Sequence, residues 1–169
     1  MPIPQLDSAY LLPTKLSQEL YSQIFDLPVI DYFTNLSIED LVLNQAFEDV
    51  DKLWIQPDPI KCRTITSLTK SGEGNFVQWS KALSSLILHP VYAWTQLELF
   101  KWWGIKDYLH EGNALEIYQA ISDKLQTGKY TPSFFLNQSK VKEINILVDL
   151  VDELPSMESL AKLDVKLRP

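Results

Sequence analysis

Residues 26–36 read Asp26-Leu27-Pro28-Val29-Ile30-Asp31-Tyr32-Phe33-Thr34-Asn35-Leu36. The apolar pair in this segment follows Pro28, which suits the first residue of a strand because its missing N–H costs little there. Asn35 and the following Ser37 are typical of a turn and of a helix cap. The pattern therefore predicts a short buried β-strand over about 28–33 that leads directly into a helix.

A second apolar segment, Ile144-Asn145-Ile146-Leu147-Val148, predicts another buried strand over about 143–149. A long helical stretch separates the two strands, so a pair between them is expected to be parallel with a right-handed crossover. Ligands collect at the carboxyl ends of parallel strands, which makes Phe33, Thr34 and Asn35 the positions that bear most on function.

Helical periodicity and capping residues account for most of the remaining chain. The predicted helices cover about 14–26, 38–46, 59–70, 75–87 and 90–103, with two more that begin near Asn113 and Thr131. The glycine-containing segment 71–75 lacks the spacing of a phosphate loop and is predicted to be a plain loop. A last short helix over 156–163 and a frayed tail over 166–169 complete the prediction. We expect a single domain, 1–169, that is mostly α with a small parallel β element.

Composition excludes several classes of function. The chain has 169 residues, enough for one domain with a real core, and its net charge of −7 and lack of a Lys/Arg run argue against nucleic acid as a partner. The single cysteine, Cys62, cannot form an internal disulfide. No apolar run is long enough to span a membrane, and the N-terminus lacks the pattern of a signal peptide, so we expect a cytoplasmic protein.

Few side chains outside the predicted strand end suggest chemistry. His89 and His110 are not in a metal-ligand spacing, and helix-start or loop roles are the ordinary alternative. Cys62 has no neighbouring base that would make it a nucleophile. Asp149 and Asp152 follow the second predicted strand and fit either an acid pair, a cation site or a turn. No catalytic residue is assigned from these patterns.

The segment Leu27–Leu36 resembles the first barrel strand of the uronate (glucuronate) isomerases, which belong to the metal-dependent amidohydrolase-like barrels. That family reads Leu-Pro-Ile-Ile-Asp-Tyr-His-Cys-His-Leu at this point. Phe33 and Asn35 stand where the family has the two histidines of its metal motif. A phenyl ring cannot ligate a metal, and a neutral amide is a poor substitute for imidazole. The resemblance therefore implies degenerate metal positions, and we expect no metal and no cofactor.

A second block extends the resemblance to the region around residues 54–63. Trp54-Ile55, Asp58 and Lys61-x-Arg63 resemble the family's Trp-Leu-Gly-Gly-Asp-His-Tyr-Lys-Trp-Arg, with Pro59-Ile60 replacing a His-Tyr pair. The resemblance implies that Lys61 and Arg63 bind a substrate carboxylate. Surface charge or an ion pair on the helix face is the alternative interpretation.

The most specific match is Pro90–Leu99, which resembles Pro-Leu-Tyr-His-Trp-Thr-His-Leu-Glu-Leu with Ala93 and Gln96 in place of both histidines. The likeness continues from Val141 into the family's second barrel strand. A closed eight-stranded barrel takes roughly 250 residues. The chain therefore resembles the first two strands and the helical insertion of such a barrel, its N-terminal third, and not a closed barrel.

These features leave three functional hypotheses. The first is a uronate isomerase-like protein that has lost catalysis and acts as a binding or assembly module. The second is a residual glucuronate or galacturonate isomerase of carbohydrate metabolism whose site another chain completes. The third is a gene remnant that folds and does nothing.

The expected partners are a second copy or another protein, with a uronate sugar only under the second hypothesis. We expect a homodimer near strand 143–149 or near the exposed member of the pair Trp102/Trp103, because an apolar strand edge is a template for association.

Overall fold

The computed structural model describes residues 6–34, 36–65, 72–146, 160, 163 and 165–168. The helices in this part of the chain are α1 (Lys15–Ile24), α2 (Ile38–Leu43), α3 (Pro59–Thr64), α4 (Gly72–Leu83), α5 (Pro90–Trp103), α6 (Ala114–Leu125) and α7 (Pro132–Gln138), with a π-helix at Asp51–Ile55 and a 3-10 turn at Glu111–Asn113. The strands are β1 (Val29–Thr34), β2 (Val141–Ile146) and β3 (Lys166–Arg168). The prediction of a mostly helical chain with a small parallel sheet is confirmed.

The chain divides into two compact units. The first contains Met1–Gln18 and Phe47–Thr127, and the second contains Glu19–Ala46 and Gly128–Pro169. In the first unit the buried residues include Phe76, Trp79, Leu83, Leu99 and Ile121, contributed by α4, α5 and α6. The single domain expected from the sequence stays a prediction.

The second unit is built on an open sheet with the strand order β1-β2-β3, in which both pairings are parallel. Its core consists of apolar side chains from α2, β2 and the segment before β3, namely Leu41, Val141, Ile144, Ile146 and Val165. The strands of the described residues do not close into a barrel. The parallel pairing of the two predicted strands is therefore confirmed.

The prediction of a frayed tail over 166–169 is wrong for Lys166–Arg168, which form β3. Glu143 of β2 forms ion pairs with both basic residues of β3, Lys166 at 3.4 Å and Arg168. Pairing with a strand far away in sequence decides the conformation here, and a terminal tripeptide carries no local sign of it. Residues 147–149, Asp152 and most of the predicted helix 156–163 lie outside the described residues.

The helix boundaries follow the local capping chemistry in most places. Asp58 caps α3 with Pro59 in the first turn, and Thr131 caps α7 with Pro132 next to it. Gly104 ends α5 with a left-handed φ of 69°. These three boundaries agree with the prediction.

The predicted loop over 71–75 is wrong from Gly72 onward, because α4 begins there. A Cβ on Gly72 would lie 2.9 Å from the Cβ of Asp51, so only glycine lets the start of α4 approach the π-helix this closely. The buried Asn75 donates to Asp51 across that contact. Tertiary packing thus extends the helix into residues whose composition is typical of a loop.

β1 is not the buried strand that the sequence predicts. Only Thr34 of its six residues is buried, and Ile30 and Tyr32 are 64% and 83% exposed. Helix α1 likewise has no buried residue. The core of this unit takes its side chains from α2, β2 and the segment before β3, and none from β1. Among the described residues, no helix has the length and apolar character needed to cross a membrane.

Candidate functional site

The carboxyl end of β1 carries little polar chemistry. Phe33 is 56% exposed, and its backbone N–H donates to Oδ1 of Asp31 at 3.1 Å. The buried Thr34 uses its hydroxyl to accept from the N–H of Leu36 at 3.2 Å. Asn35, the other degenerate metal position, lies outside the described residues. The polar side-chain atoms described here hydrogen-bond to backbone N–H groups two residues further along the chain.

Lys61 is the buried centre of a group that we call the Lys61 cluster, made of Trp54, Asp58, Lys61 and Glu98, whose other three members are partly exposed. Its side chain is 2% exposed, and Nζ lies 3.5 Å from Oδ2 of Asp58 and 3.3 Å from Oε2 of Glu98. Nζ also donates to the backbone oxygen of Trp54 at 3.2 Å and lies 4.2 Å from the centroid of its indole ring. The indole N–H donates to the same Glu98 oxygen.

The ammonium group therefore donates two hydrogen bonds, to Trp54 and Glu98, and forms an ion pair with Asp58. A substrate carboxylate would have to displace Asp58 or Glu98 and reach a side chain that is almost fully buried. The Lys61 cluster therefore supports the ion-pair interpretation over the substrate-binding one. Arg63 is exposed, two residues further along α3.

The two positions where Pro90–Leu99 departs from the family pattern lie on α5. Gln96 is fully buried, and its Oε1 accepts from the backbone N–H of Leu109 at 3.0 Å, while its Nε2 has no hydrogen-bond partner. Ala93 is half-buried and offers only a methyl group. Neither residue supplies an acid, a base or a strong metal ligand.

Both histidines are helix N-caps. Nδ1 of His89 accepts from the N–H of Val91 at the start of α5, at 3.1 Å. Nδ1 of His110 accepts from the N–H of Gly112 at 3.0 Å, as part of a capping box with Asn113. In the parts of the chain that the structure describes, no group of three or more His, Cys, Asp or Glu side chains could hold a metal ion.

A buried polar group that the sequence did not predict connects the π-helix to α4. Oδ2 of Asp51 accepts from Gln56 at 2.7 Å and from Asn75 at 2.9 Å, while its Oδ1 has no hydrogen-bond partner. Asp49 accepts from the N–H groups of Asp51 and Lys52 and so caps the π-helix. The only sign of this group in the sequence is an Asn in a segment interpreted as a loop.

Tyr118 borders this acidic group, and its hydroxyl lies 3.2 Å from where a Gly72 Cβ would be. Burial raises the pKa of Tyr118, and the nearby carboxylate of Asp49 raises it further. A hydrogen bond with Ser122 lowers this pKa and so opposes the shift. The phenol is therefore held in its neutral form to a higher pH than usual.

The family model of glucuronate isomerase matches residues 4–169. The chain is 31% identical over 165 residues to a uronate isomerase of Bacillus pumilus, covering 92% of this chain and 34% of that protein. It is 30% identical over 169 residues to a uronate isomerase of Geobacillus thermodenitrificans, covering 94% of this chain and 36% of that protein. The chain thus spans about a third of the length of these relatives.

Solved structures show the same fold relationship. The uronate isomerase of Thermotoga maritima superposes with a TM-score of 0.84 and 24% identity, covering 96% of this chain and 38% of that chain. The glucuronate isomerase of Caulobacter crescentus gives a TM-score of 0.72 and 16% identity, covering 83% of this chain and 34% of that chain. The described fold therefore corresponds to part of a larger fold in both structures.

The Lys61 cluster predicts that replacing Lys61 lowers the free energy of unfolding more than replacing the neighbouring Arg63. Lys61→Met keeps most of the buried stem and removes the ammonium group, so we expect the free energy of unfolding to fall by about 2 kcal/mol. Arg63→Met, on the exposed side of the same helix, is the matched control and should change it by less than about 0.5 kcal/mol. Urea denaturation of the three proteins measures both. Equal effects would contradict a structural role for Lys61.

Tyr118 predicts a loss of stability at alkaline pH. Its pKa in the folded chain is raised above the ordinary value of 10.0, so its contribution to stability is complete below that pH. The contribution is lost as the pH rises from there through the pKa of the folded state. We expect the fall in unfolding free energy above pH 10 to be shallower in Tyr118→Phe than in the unmodified chain. Parallel pH profiles for the two proteins would contradict this assignment.

Proposed function

The chain belongs to the glucuronate isomerase family, and we propose that it is a member without catalysis that works by binding another protein surface. The observation that carries this proposal is the division between kept and replaced motif residues. Trp54, Asp58, Lys61 and Glu98 match the family pattern, and they form the Lys61 cluster. The family's histidines are replaced, and the positions they would occupy now hold side chains such as Phe33 and Gln96.

Chemistry explains why this division matters. Isomerisation between an aldose and a ketose moves a proton between adjacent carbons and needs a base and polar groups that stabilise the developing charge. A phenyl ring at residue 33 and an amide at residue 96 do not exchange protons near neutral pH. Packing residues can be kept for stability alone, whereas replaced histidines remove both metal ligands and bases. The replaced residues are therefore the reactive ones, whereas the residues that stabilise the fold are kept.

The alternative is a residual glucuronate or galacturonate isomerase that another chain completes. Two observations favour it: the chain spans about a third of its relatives, and no strand of the described residues pairs with the second edge of β1. Under this alternative, active-site groups would have to come from the second chain, because Phe33 and Ala93 cannot supply them. Uronate binding by Lys61 has no support from its geometry, and Arg63 stays a candidate only under this alternative. The cytoplasmic location stays a prediction.

A homodimer is part of the main proposal, and neither of the two places expected for it gains support from the described residues. β2 (Val141–Ile146) has β1 on one side and β3 on the other, so the described part of the expected edge, 143–146, is already paired. Trp103 is buried, and Trp102 is half-buried with Nζ of Lys101 4.8 Å from its ring centroid. Neither place offers a large uncovered apolar surface.

Metal content and turnover test the loss of catalysis. Chain purified without added metal should contain far less than one zinc or manganese ion per molecule by elemental analysis, because Phe33 cannot act as a ligand. With glucuronate or galacturonate, we expect no more interconversion than in buffer, with or without added metal. The uronate isomerase of Bacillus pumilus, purified in the same way, is the positive control.

Turnover that survives further purification and disappears in Arg63→Ala would overturn the proposal. Turnover that appears only after a second purified chain is added would establish the alternative. Either result can be read independently of the mass of the protein in solution.

A further inference from the structure

A short segment of the first unit, residues 108–113, contacts three helices, and we call it the His110 turn. The backbone N–H of Leu109 donates to Oε1 of Gln96 on α5 at 3.0 Å. The carboxylate of Glu111 pairs with Nζ of Lys81 on α4 at 2.9 Å. Helix α6 begins directly after the turn. One turn is therefore linked to α4, α5 and α6 at the same time.

The side chains of His110 and Asn113 hold the conformation of this turn. Nδ1 of His110 accepts from the backbone N–H of Gly112 at 3.0 Å, and Oδ1 of Asn113 accepts from the backbone N–H of His110 at 2.9 Å. Nδ2 of Asn113 donates to the backbone oxygen of Tyr108, also at 2.9 Å. A Cβ on Gly112 would lie 3.1 Å from Nδ1 of His110, so glycine gives the imidazole ring room to reach this N–H.

The hydrogen bond from Gly112 requires one protonation state of His110. A backbone N–H can only donate, so Nδ1 must carry a lone pair and the ring proton must be on Nε2. Imidazole side chains ordinarily change charge between about pH 5 and pH 8. When Nδ1 takes a proton from water it becomes a donor, and the hydrogen bond from Gly112 breaks. The ring then carries one positive charge, and the freed N–H turns to water.

The charges around His110 do not favour its protonation. His110 lines a cavity of about 370 Å³, and the charged or titratable groups beside it there are Lys81 of α4, Tyr92 of α5 and Glu111 of the turn. Glu111 is already paired with Lys81, and burial raises the pKa of Tyr92, so this phenol stays neutral in acid. Glu116, in the first turn of α6, lines a different cavity. A positive charge just before α6 also opposes the helix dipole.

From these contacts we infer that the His110 turn is a pH-sensitive joint between α4, α5 and α6. With a neutral imidazole, the cap holds the turn in the conformation that reaches Gln96 and Lys81. Protonation removes the cap and makes the imidazolium compete with Lys81 for Glu111. The pair Lys81–Glu111 is largely exposed and contributes little by itself, so the turn loosens. This inference goes beyond the proposed function and does not depend on it.

The amide resonance of Gly112 in a two-dimensional NMR spectrum of the full chain tests the cap. From about pH 8 to pH 5, where imidazole ordinarily titrates, we expect this proton resonance to move upfield as its hydrogen bond is lost. His110→Asn keeps a side-chain acceptor that does not titrate, and Asn is a preferred N-cap. Its circular dichroism should show an unchanged fold, and its Gly112 resonance should stay in place. A Gly112 resonance that ignores pH in the unmodified chain overturns the inference.

Hydrogen exchange of the Leu109 amide tests the joint, because this N–H links the turn to α5. Over the same pH range we expect its protection factor to fall by about 5-fold in the unmodified chain, the effect of losing one helix cap. It should stay constant in His110→Asn. The matched control is His89→Asn, which removes the other histidine cap, at the start of α5, and should leave the fall unchanged.

An unchanged protection factor in the unmodified chain overturns the joint, even where the cap itself titrates. An equal fall in His110→Asn overturns it as well, and so does a fall that disappears in His89→Asn. Neither measurement depends on metal content or turnover, so the loss of catalysis is tested separately.

Discussion

The ammonium group of Lys61 is the constraint on which the first unit depends. A buried charge is stable only when opposite charges and acceptors surround it, and here they come from three separate elements. Trp54 belongs to the π-helix, Asp58 caps α3, and Glu98 lies on α5. Each element must therefore stay in place for the others to satisfy the charge. The irregular π-helix is explained by this requirement, because it brings the backbone oxygen of Trp54 to Nζ of Lys61.

The same constraint separates the fold from its chemistry. A protein family can keep a scaffold after its reactive groups are lost, since packing and catalysis depend on different side chains. In this chain Glu98 remains and binds Lys61 and Trp54, whereas the neighbouring Gln96 is buried against the backbone of Leu109. Structural similarity to uronate isomerases therefore does not by itself establish catalysis. A similar fold indicates that the packing side chains are kept, and it says less about the catalytic side chains.

Local chemistry made much of the fold predictable from the sequence. Asp58-Pro59 and Thr131-Pro132 mark helix starts because the cap and the first-turn proline are adjacent in sequence. The features that escaped prediction all depend on distant partners. β3 pairs with β2 and forms ion pairs with Glu143, and the start of α4 lies against Asp51. The exposure of β1 depends on which elements pack over the sheet, and an apolar sequence pattern does not indicate this.

From the sequence alone, only the replaced residues of the candidate site could be interpreted. Residue 33 could be judged from the sequence because phenylalanine has no metal-binding chemistry in any environment. Lys61 could not, since its interpretation depends on burial and on carboxylates 3 and 37 positions away. The hydrogen bonds of Asp51 were equally hidden, because Asn75 lies 24 positions further along the chain.

Glu143 links β2 to β3 through ion pairs. Its carboxylate is mostly buried and holds both basic residues of β3, whose side chains are largely in solvent. Such ion pairs weaken as the ionic strength rises. A strand of three residues has few backbone bonds to compensate. Concentrated salt would therefore weaken the contact between β2 and β3, and where β3 detaches, β2 takes its place as an edge strand of the described sheet.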